Sequence, residues 1–224
     1  MSGHSHDHHG SKNHDHKSGD SKHGHSKRRG QGTGYKFDPS RLEKLRDPER
    51  LKTQNPDAIW NVLAESPIHT LVDLGVGIGF FAIPFARKIP EGKIYGCDIN
   101  PDMLEYLRAA MKQEQVGNIE PVLSGEVEVP LPDATADVVL MVNLHHELDF
   151  RDRTLEECWR LLVDGGRVAV IDWKPMETEK GPPLHVRISP SQVGEEMLAA
   201  GFVEVVEHNL FPQHYMVVGR KGPL

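Results

Sequence analysis

The sequence predicts an α/β fold: a doubly wound, mostly parallel seven-stranded sheet whose last strand runs antiparallel, preceded by short N-terminal helices. Three observations carry this expectation. From Thr70 onward, short runs of apolar residues alternate with amphipathic stretches, the pattern of strands covered by helices on both faces. The first run leads into a glycine-rich turn, Leu71 to Phe81, LVDLGVGIGFF. The last two runs are joined by a link too short for a helical crossover, so they pair antiparallel.

The elements follow in order. Residues 1–34 hold eight histidines and almost nothing apolar, so they cannot bury enough surface to offset the entropy of ordering and are read as a disordered tail. Residues 35–68 form a helical leader marked by three helix starts, Asp38-Pro39, Asp47-Pro48 and Asn55-Pro56. In each, a side-chain oxygen caps free N–H groups and the proline sets the first helical φ. Residues 69–224 form the sheet domain, with strands at TLVDL, KIYGCDI, IEPVL, DVVLMVN and RVAVIDW. Helices are expected over PDAIWNVLAE, FFAIPFARKI, PDMLEYLRAAMKQEQ and RTLEECWRLLV. SPSQVGEEMLAAGF supplies a serine cap, a helix and a glycine stop, and VEVVEHNLF and HYMVVGRK close the sheet.

Charge and composition exclude some functions. The tail carries six Lys or Arg against three Asp, leaving 20 basic and 30 acidic residues in the rest, which argues against a nucleic-acid partner. The N-terminus lacks the apolar core of a signal peptide and no apolar run approaches the ~18 residues of a membrane span, so the expectation is a cytoplasmic protein without a membrane partner. Cys97 and Cys158 are too few and too far apart for a disulfide framework or a thiolate metal site. In the tail, HSHDHH, HDH and HGH suit Zn²⁺, Ni²⁺ or Cu²⁺ on His4, His6, His8, His9, His14, His16, His23 and His25. An expression tag would place its histidines consecutively.

The glycine turn decides the ligand. A dinucleotide fingerprint needs G-x-G-x-x-G/A, and its third small position falls on Phe80. The stretch reads instead Asp73-x-Gly75-x-Gly77-x-Gly79, with an acidic residue that repels phosphate and favours a cation. S-adenosylmethionine, with an ammonium, a sulfonium and no phosphate, meets that requirement.

VDLGVGIG resembles the first motif of the class I, seven-strand S-adenosylmethionine-dependent methyltransferases, and further motifs follow in the family's order over roughly residues 70–219. Asp98 in YGCDINPDML matches the acidic residue that holds both ribose hydroxyls, 23 residues after Gly75, with Ile99 beside it. Gly125 and Glu126 fall in the family's adenine loop, where many relatives carry Asp. PLPDATADVVLMVNLHHEL resembles the fourth-strand region of the type 11 branch that includes quinone-biosynthesis methyltransferases, and LLVDGGRVAVIDW resembles the usual LKPGGRL turn and fifth strand. The leader and IDWKPMETEKGPPLHVRIS resemble a narrower group of small microbial methyltransferases, in which the leader covers the active site or simply packs on the sheet.

The resemblance implies a methyltransferase acting on a small-molecule acceptor. It places Asn143 nearest the methionine moiety, His145 or His146 as the group that takes the acceptor's proton, and His185 and Arg187 in the acceptor pocket. Trp173 and Lys174 are weaker candidates. A zincin reading of HHELDF fails because position 150 is phenylalanine. Arsenite as acceptor calls for more thiolates than Cys97 and Cys158 supply. Two competing functions are a metal-handling protein whose body is not catalytic and a nicotinamide oxidoreductase, the latter disfavoured by Phe80 and Asp73.

Overall fold

The computed structural model describes residue 47 and residues 49–222. The tail and its eight histidines, the Asp38-Pro39 helix start and the first part of the leader lie outside the described residues. Seven strands form one sheet in the order β3-β2-β1-β4-β5-β7-β6. They are β1 (Thr70–Leu74), β2 (Lys93–Asp98), β3 (Ile119–Leu123), β4 (Ala136–Val142), β5 (Leu162–Trp173), β6 (Phe202–His208) and β7 (His214–Lys221). β1 pairs parallel with β2 and β4, β4 pairs parallel with β5, and β7 lies antiparallel between β5 and β6. The expected sheet and its reversed last strand are therefore present. The order reverses between β1 and β4, and the carboxyl ends of those strands are where open α/β sheets bind ligands.

Among the described residues there are six helices: α1 (Arg50–Thr53), α2 (Pro56–Leu63), α3 (Ala82–Lys88), α4 (Pro101–Gln113), α5 (Arg151–Leu161) and α6 (Pro190–Ala199). The Asn55-Pro56 start and the serine cap at Ser189 form as expected, and α4 begins in the same way: Asn55, Ser189 and Asn100 accept the N–H of Asp57, Gln192 and Asp102. Strand residues alternate between two cores. Leu71, Val138, Leu140, Ala169, Ile171 and Met216 pack with α2, α3 and α4, while Val72, Val139, Met141, Val168, Val170 and Val217 pack with α5 and α6.

One boundary differs from expectation. Leu162 and Val163 leave the α5 helix and open β5, because Leu162 pairs with Ala136 before a register shift that admits Asp164 and two glycines. Lys221 secures that corner from the other side, donating to the Leu162 carbonyl at 2.8 Å with its ammonium over the Trp159 ring.

Candidate active site

The turn after β1 is built by its glycines. Gly75, Gly77 and Gly79 have φ of 70°, 53° and 84°, a region that other L-residues rarely adopt. The Gly75 and Val76 N–H groups both donate to the Cys97 carbonyl, which fastens the turn to β2. Asp98 fastens it again: one carboxylate oxygen accepts the Gly77 N–H at 3.0 Å and the other accepts the Asn100 N–H at 2.9 Å. Burial raises the Asp98 pKa, only partly offset by these N–H donors. Beside it Ile99 is 62% exposed, an apolar side chain left facing outward at the carboxyl edge. Gly125 and Glu126 are exposed on the loop after β3, where the Gly125 N–H donates to the Glu128 carbonyl.

Asp73 sits one residue before the turn's first glycine neighbour, buried to 3% exposure. Desolvation and the nearby Asp98 push its pKa up to about 8, while Arg50 acts in the opposite direction. A buried carboxyl of this kind is mostly protonated at neutral pH and ionises when a cation is placed beside it.

The described residues of the leader meet this edge. Gln54 and Asn143 exchange two amide hydrogen bonds, 2.9 and 3.1 Å, across 89 residues of chain. Arg50 stacks over Phe80 at 4.1 Å, just past the glycine turn, and Lys180 in the loop after β5 pairs with Asp47 at 3.2 Å. These contacts tie the described leader residues to the end of β4 and to the segments after β1 and β5, while Ile59 and Leu63 pack on the sheet. Asn143, with φ of 54°, spends its carboxamide on Gln54. The leader residues Arg50 and Gln54 were not legible as site residues in the sequence.

The two adjacent histidines part company. His145 is fully buried and bonded through Nε2 to Glu196, which also takes the Arg151 side chain. It is a packed link between the turn after β4 and α6, and its expected role as a proton acceptor is corrected on that ground. His146 instead holds Asp172, at the end of β5, by Nδ1 at 2.7 Å and by its backbone N–H at 3.0 Å. Asp172 is 1% exposed and also accepts the Trp173 N–H. Burial depresses the His146 pKa, but the Asp172 hydrogen bond and charge, helped by Glu147, outweigh it and the net shift is upward. An Asp that accepts Nδ1–H leaves Nε2 as the basic nitrogen.

Arg187 is corrected as well. Its guanidinium donates to the carbonyls of Pro182, Lys174, Met176 and Lys180 and to the Thr178 hydroxyl, and it stacks on Trp173 at 5.1 Å. All five N–H groups are thus committed to shaping the loop after β5, leaving none for an acceptor. His185 is exposed on the single 3-10 turn Leu184–Val186 of that loop. Cys97 and Cys158 are both buried, with thiol pKa values pushed up by desolvation, that of Cys97 to about 12. Among the described residues no group of three or more His, Cys, Asp or Glu is placed to hold a metal ion, and no helix is long and apolar enough to cross a membrane.

The fold is shared with known proteins. Residues 71–166 match the profile of a family described as a methyltransferase domain. A crystal structure of a SAM dependent methyltransferase from Aquifex aeolicus superposes with a TM-score of 0.78 at 31% identity, covering 83% of this chain and 100% of that one. An arsenite methyltransferase of Halobacterium salinarum is 33% identical over 122 residues, 53% of this chain and 30% of that protein. A ubiquinone/menaquinone biosynthesis C-methyltransferase of Pasteurella multocida is 34% identical over 112 residues, 48% of this chain and 41% of that protein. The chain therefore spans less than half the length of these two curated relatives.

Proposed function

We propose that this chain, which belongs to the class I, Rossmann-like S-adenosylmethionine-dependent methyltransferases of the type 11 branch, transfers a methyl group to a small-molecule acceptor under the cover of its leader. The observation that carries the cofactor assignment is the pairing of a three-glycine turn with Asp98, whose carboxylate already shapes that turn. Asp98 would take the ribose hydroxyls, Ile99 the adenine face with Gly125 and Glu126 at its edge, and Asp73 the ammonium. Cofactor sulfonium supplies an activated methyl group. What the protein adds is alignment, exclusion of water and a place for a proton.

The acceptor is read as a small molecule because curated relatives act on arsenite or take part in quinone biosynthesis, and because the acidic body offers no basic footprint for nucleic acid. Between those two chemistries the buried, strongly protonated Cys97 and Cys158 favour an organic acceptor over arsenite.

His146 is proposed as the group that takes the acceptor's proton, with Asp172 as its positioning residue. Protonated His146 cannot act, so the rate should rise with pH through a pKa above the ordinary histidine value. In Asp172→Asn the upward pull is lost, and the rising limb should move to lower pH while the plateau rate falls about 100-fold or more. A pH–rate profile of both proteins, once an acceptor is in hand, checks this; an unmoved limb would place the base elsewhere.

Cofactor binding has its own proton signature. At pH 7 Asp73, raised to about 8, is mostly protonated, and an ammonium beside it stabilises the ionised form, so binding should release up to about one proton. Calorimetric enthalpies in phosphate and in Tris at pH 7 should differ accordingly, and the difference should vanish in Asp73→Asn. A buffer-independent enthalpy for the wild type would remove Asp73 from the ammonium site. The histidine tail is proposed, on its composition alone, to bind divalent transition metals, and the protein is proposed to be cytoplasmic.

A further inference from the structure

We propose that His214 anchors the methyl acceptor and that the acceptor presents an oxyanion to it, either a carboxylate or an ionised hydroxyl on a conjugated carbon. This rests on the methyltransferase reading above and adds to it the chemical class of the acceptor.

His214 opens β7 and is 1% exposed, yet among the described residues neither ring nitrogen has a hydrogen-bond partner. A neutral imidazole carries one N–H donor and one acceptor, and burying either unmatched forfeits its bonds to water with nothing in exchange. Buried polar groups in folded proteins are otherwise nearly always satisfied, so an orphan of this kind points to a missing partner. Strand register sets His214 opposite Trp173, with ring centroids 4.1 Å apart, at the carboxyl edge where the site lies. Alternation along β7 puts it on the face of Met216 and Val218, which share their core with Ile59 and Leu63 of the leader.

The surroundings favour an anion. Lys174 and Arg187 flank His214, and both are held by neutral oxygens. Lys174 Nζ donates to the Asn209 side chain and the Phe211 carbonyl, each at 2.7 Å, while Arg187 donates to the loop carbonyls and Thr178. These contacts fix the cations in place without supplying a compensating carboxylate. Asp172 is the largest single charge acting on the ring and is negative; Arg187 and Lys174 oppose it, as does Arg50, which also faces Asp47 and Asp73. Burial, against the pull of Asp172 and with the help of the cations, lowers the His214 pKa to about 4, so the ring meets its ligand as a neutral N–H donor with Lys174 and Arg187 nearby.

The ligand in question is the acceptor and not the cofactor. His214 lies three strands from β1 in the sheet order, about 14 Å at the usual strand spacing, whereas the residues assigned to the cofactor lie after β1, β2 and β3, on the other side of β1 from β7 or at β1 itself.

The test uses the full-length protein saturated with S-adenosylhomocysteine and calorimetric titration with benzoate and 4-nitrophenolate, each beside an uncharged counterpart, benzamide and 4-nitroanisole. At least one anion should bind about tenfold more tightly than its counterpart. That preference should fall about tenfold in His214→Phe while S-adenosylhomocysteine affinity stays within about twofold, and it should partly return in His214→Gln, which keeps an N–H donor. Preference for benzoate assigns a carboxylate, and preference for 4-nitrophenolate an ionised hydroxyl. If neither anion binds the wild type, if the uncharged probes bind as well, or if His214→Phe changes nothing, the proposal is overturned. Should the Phe variant lose S-adenosylhomocysteine binding, His214→Asn is read in its place by the same criteria. A wild type that fails to bind S-adenosylhomocysteine refutes the methyltransferase reading instead, and the anion titrations are then judged on the free protein.

Discussion

Replacing Asp98 by alanine is expected to weaken S-adenosylmethionine binding about 100-fold or more while leaving the protein folded. The carboxylate holds two backbone N–H groups, of Gly77 and Asn100, and so keeps the glycine turn in the shape that admits a ligand. Its remaining lone pairs would meet the two ribose hydroxyls, and hydrogen bonds to a charged group contribute about 1.5–3 kcal/mol. A combined loss near 3 kcal/mol corresponds to roughly two orders of magnitude in affinity. Asp98→Asn should fall between, because an amide keeps the shape and one acceptor oxygen but turns an NH2 group toward donors it should accept. Calorimetric titration of the three proteins, with thermal unfolding as the check on folding, measures the series. Equal affinities would remove Asp98 from the cofactor site.

The largest effect on stability is expected at Gly79. Its φ of 84° strains any side chain, and an added Cβ would lie 2.5 Å from Leu107 Cδ1, a fully buried group on α4. Backbone strain of about 1–3 kcal/mol and overpacking of about 1–3 kcal/mol together should lower the unfolding midpoint of Gly79→Ala by about 5–15 °C. Gly117→Ala is the matched control, since nothing lies within 4 Å of its added Cβ. The two variants differ from the wild type by one methyl group each, so a similar midpoint for both would contradict the packing described around the turn.

How far the sequence could be read follows from which interactions are local. The strand TLVDL and the helices starting at Asn55-Pro56, Asn100-Pro101 and Ser189-Pro190 are encoded within a few residues of themselves, and each forms where expected. The end of α5 is not local: Leu162 continues the helical apolar pattern and joins β5 only because Ala136 of β4 is there to pair with it. The site shows the same division. The glycine turn and Asp98 announce themselves by type and spacing, whereas Gln54 and Asn143 meet across 89 residues, with no signal in either neighbourhood. Arg187 is instructive in the opposite sense. An arginine near an expected acceptor pocket suggests anion recognition, yet the irregular loop after β5 has carbonyls to satisfy and the guanidinium is consumed by them. Asp172 and His214 escaped notice because each closes or opens a strand and reads as an ordinary polar terminus. Their partners, His146 and Trp173, come from other segments.

Competitive calorimetry with S-adenosylmethionine and NAD on the wild-type protein tests the central claim most directly. The site described here, with Asp73 and Asp98 at the turn and Phe80 where a dinucleotide fold needs a small residue, predicts saturable one-to-one binding of S-adenosylmethionine and none of NAD. Binding of NAD, or of neither ligand, would contradict it.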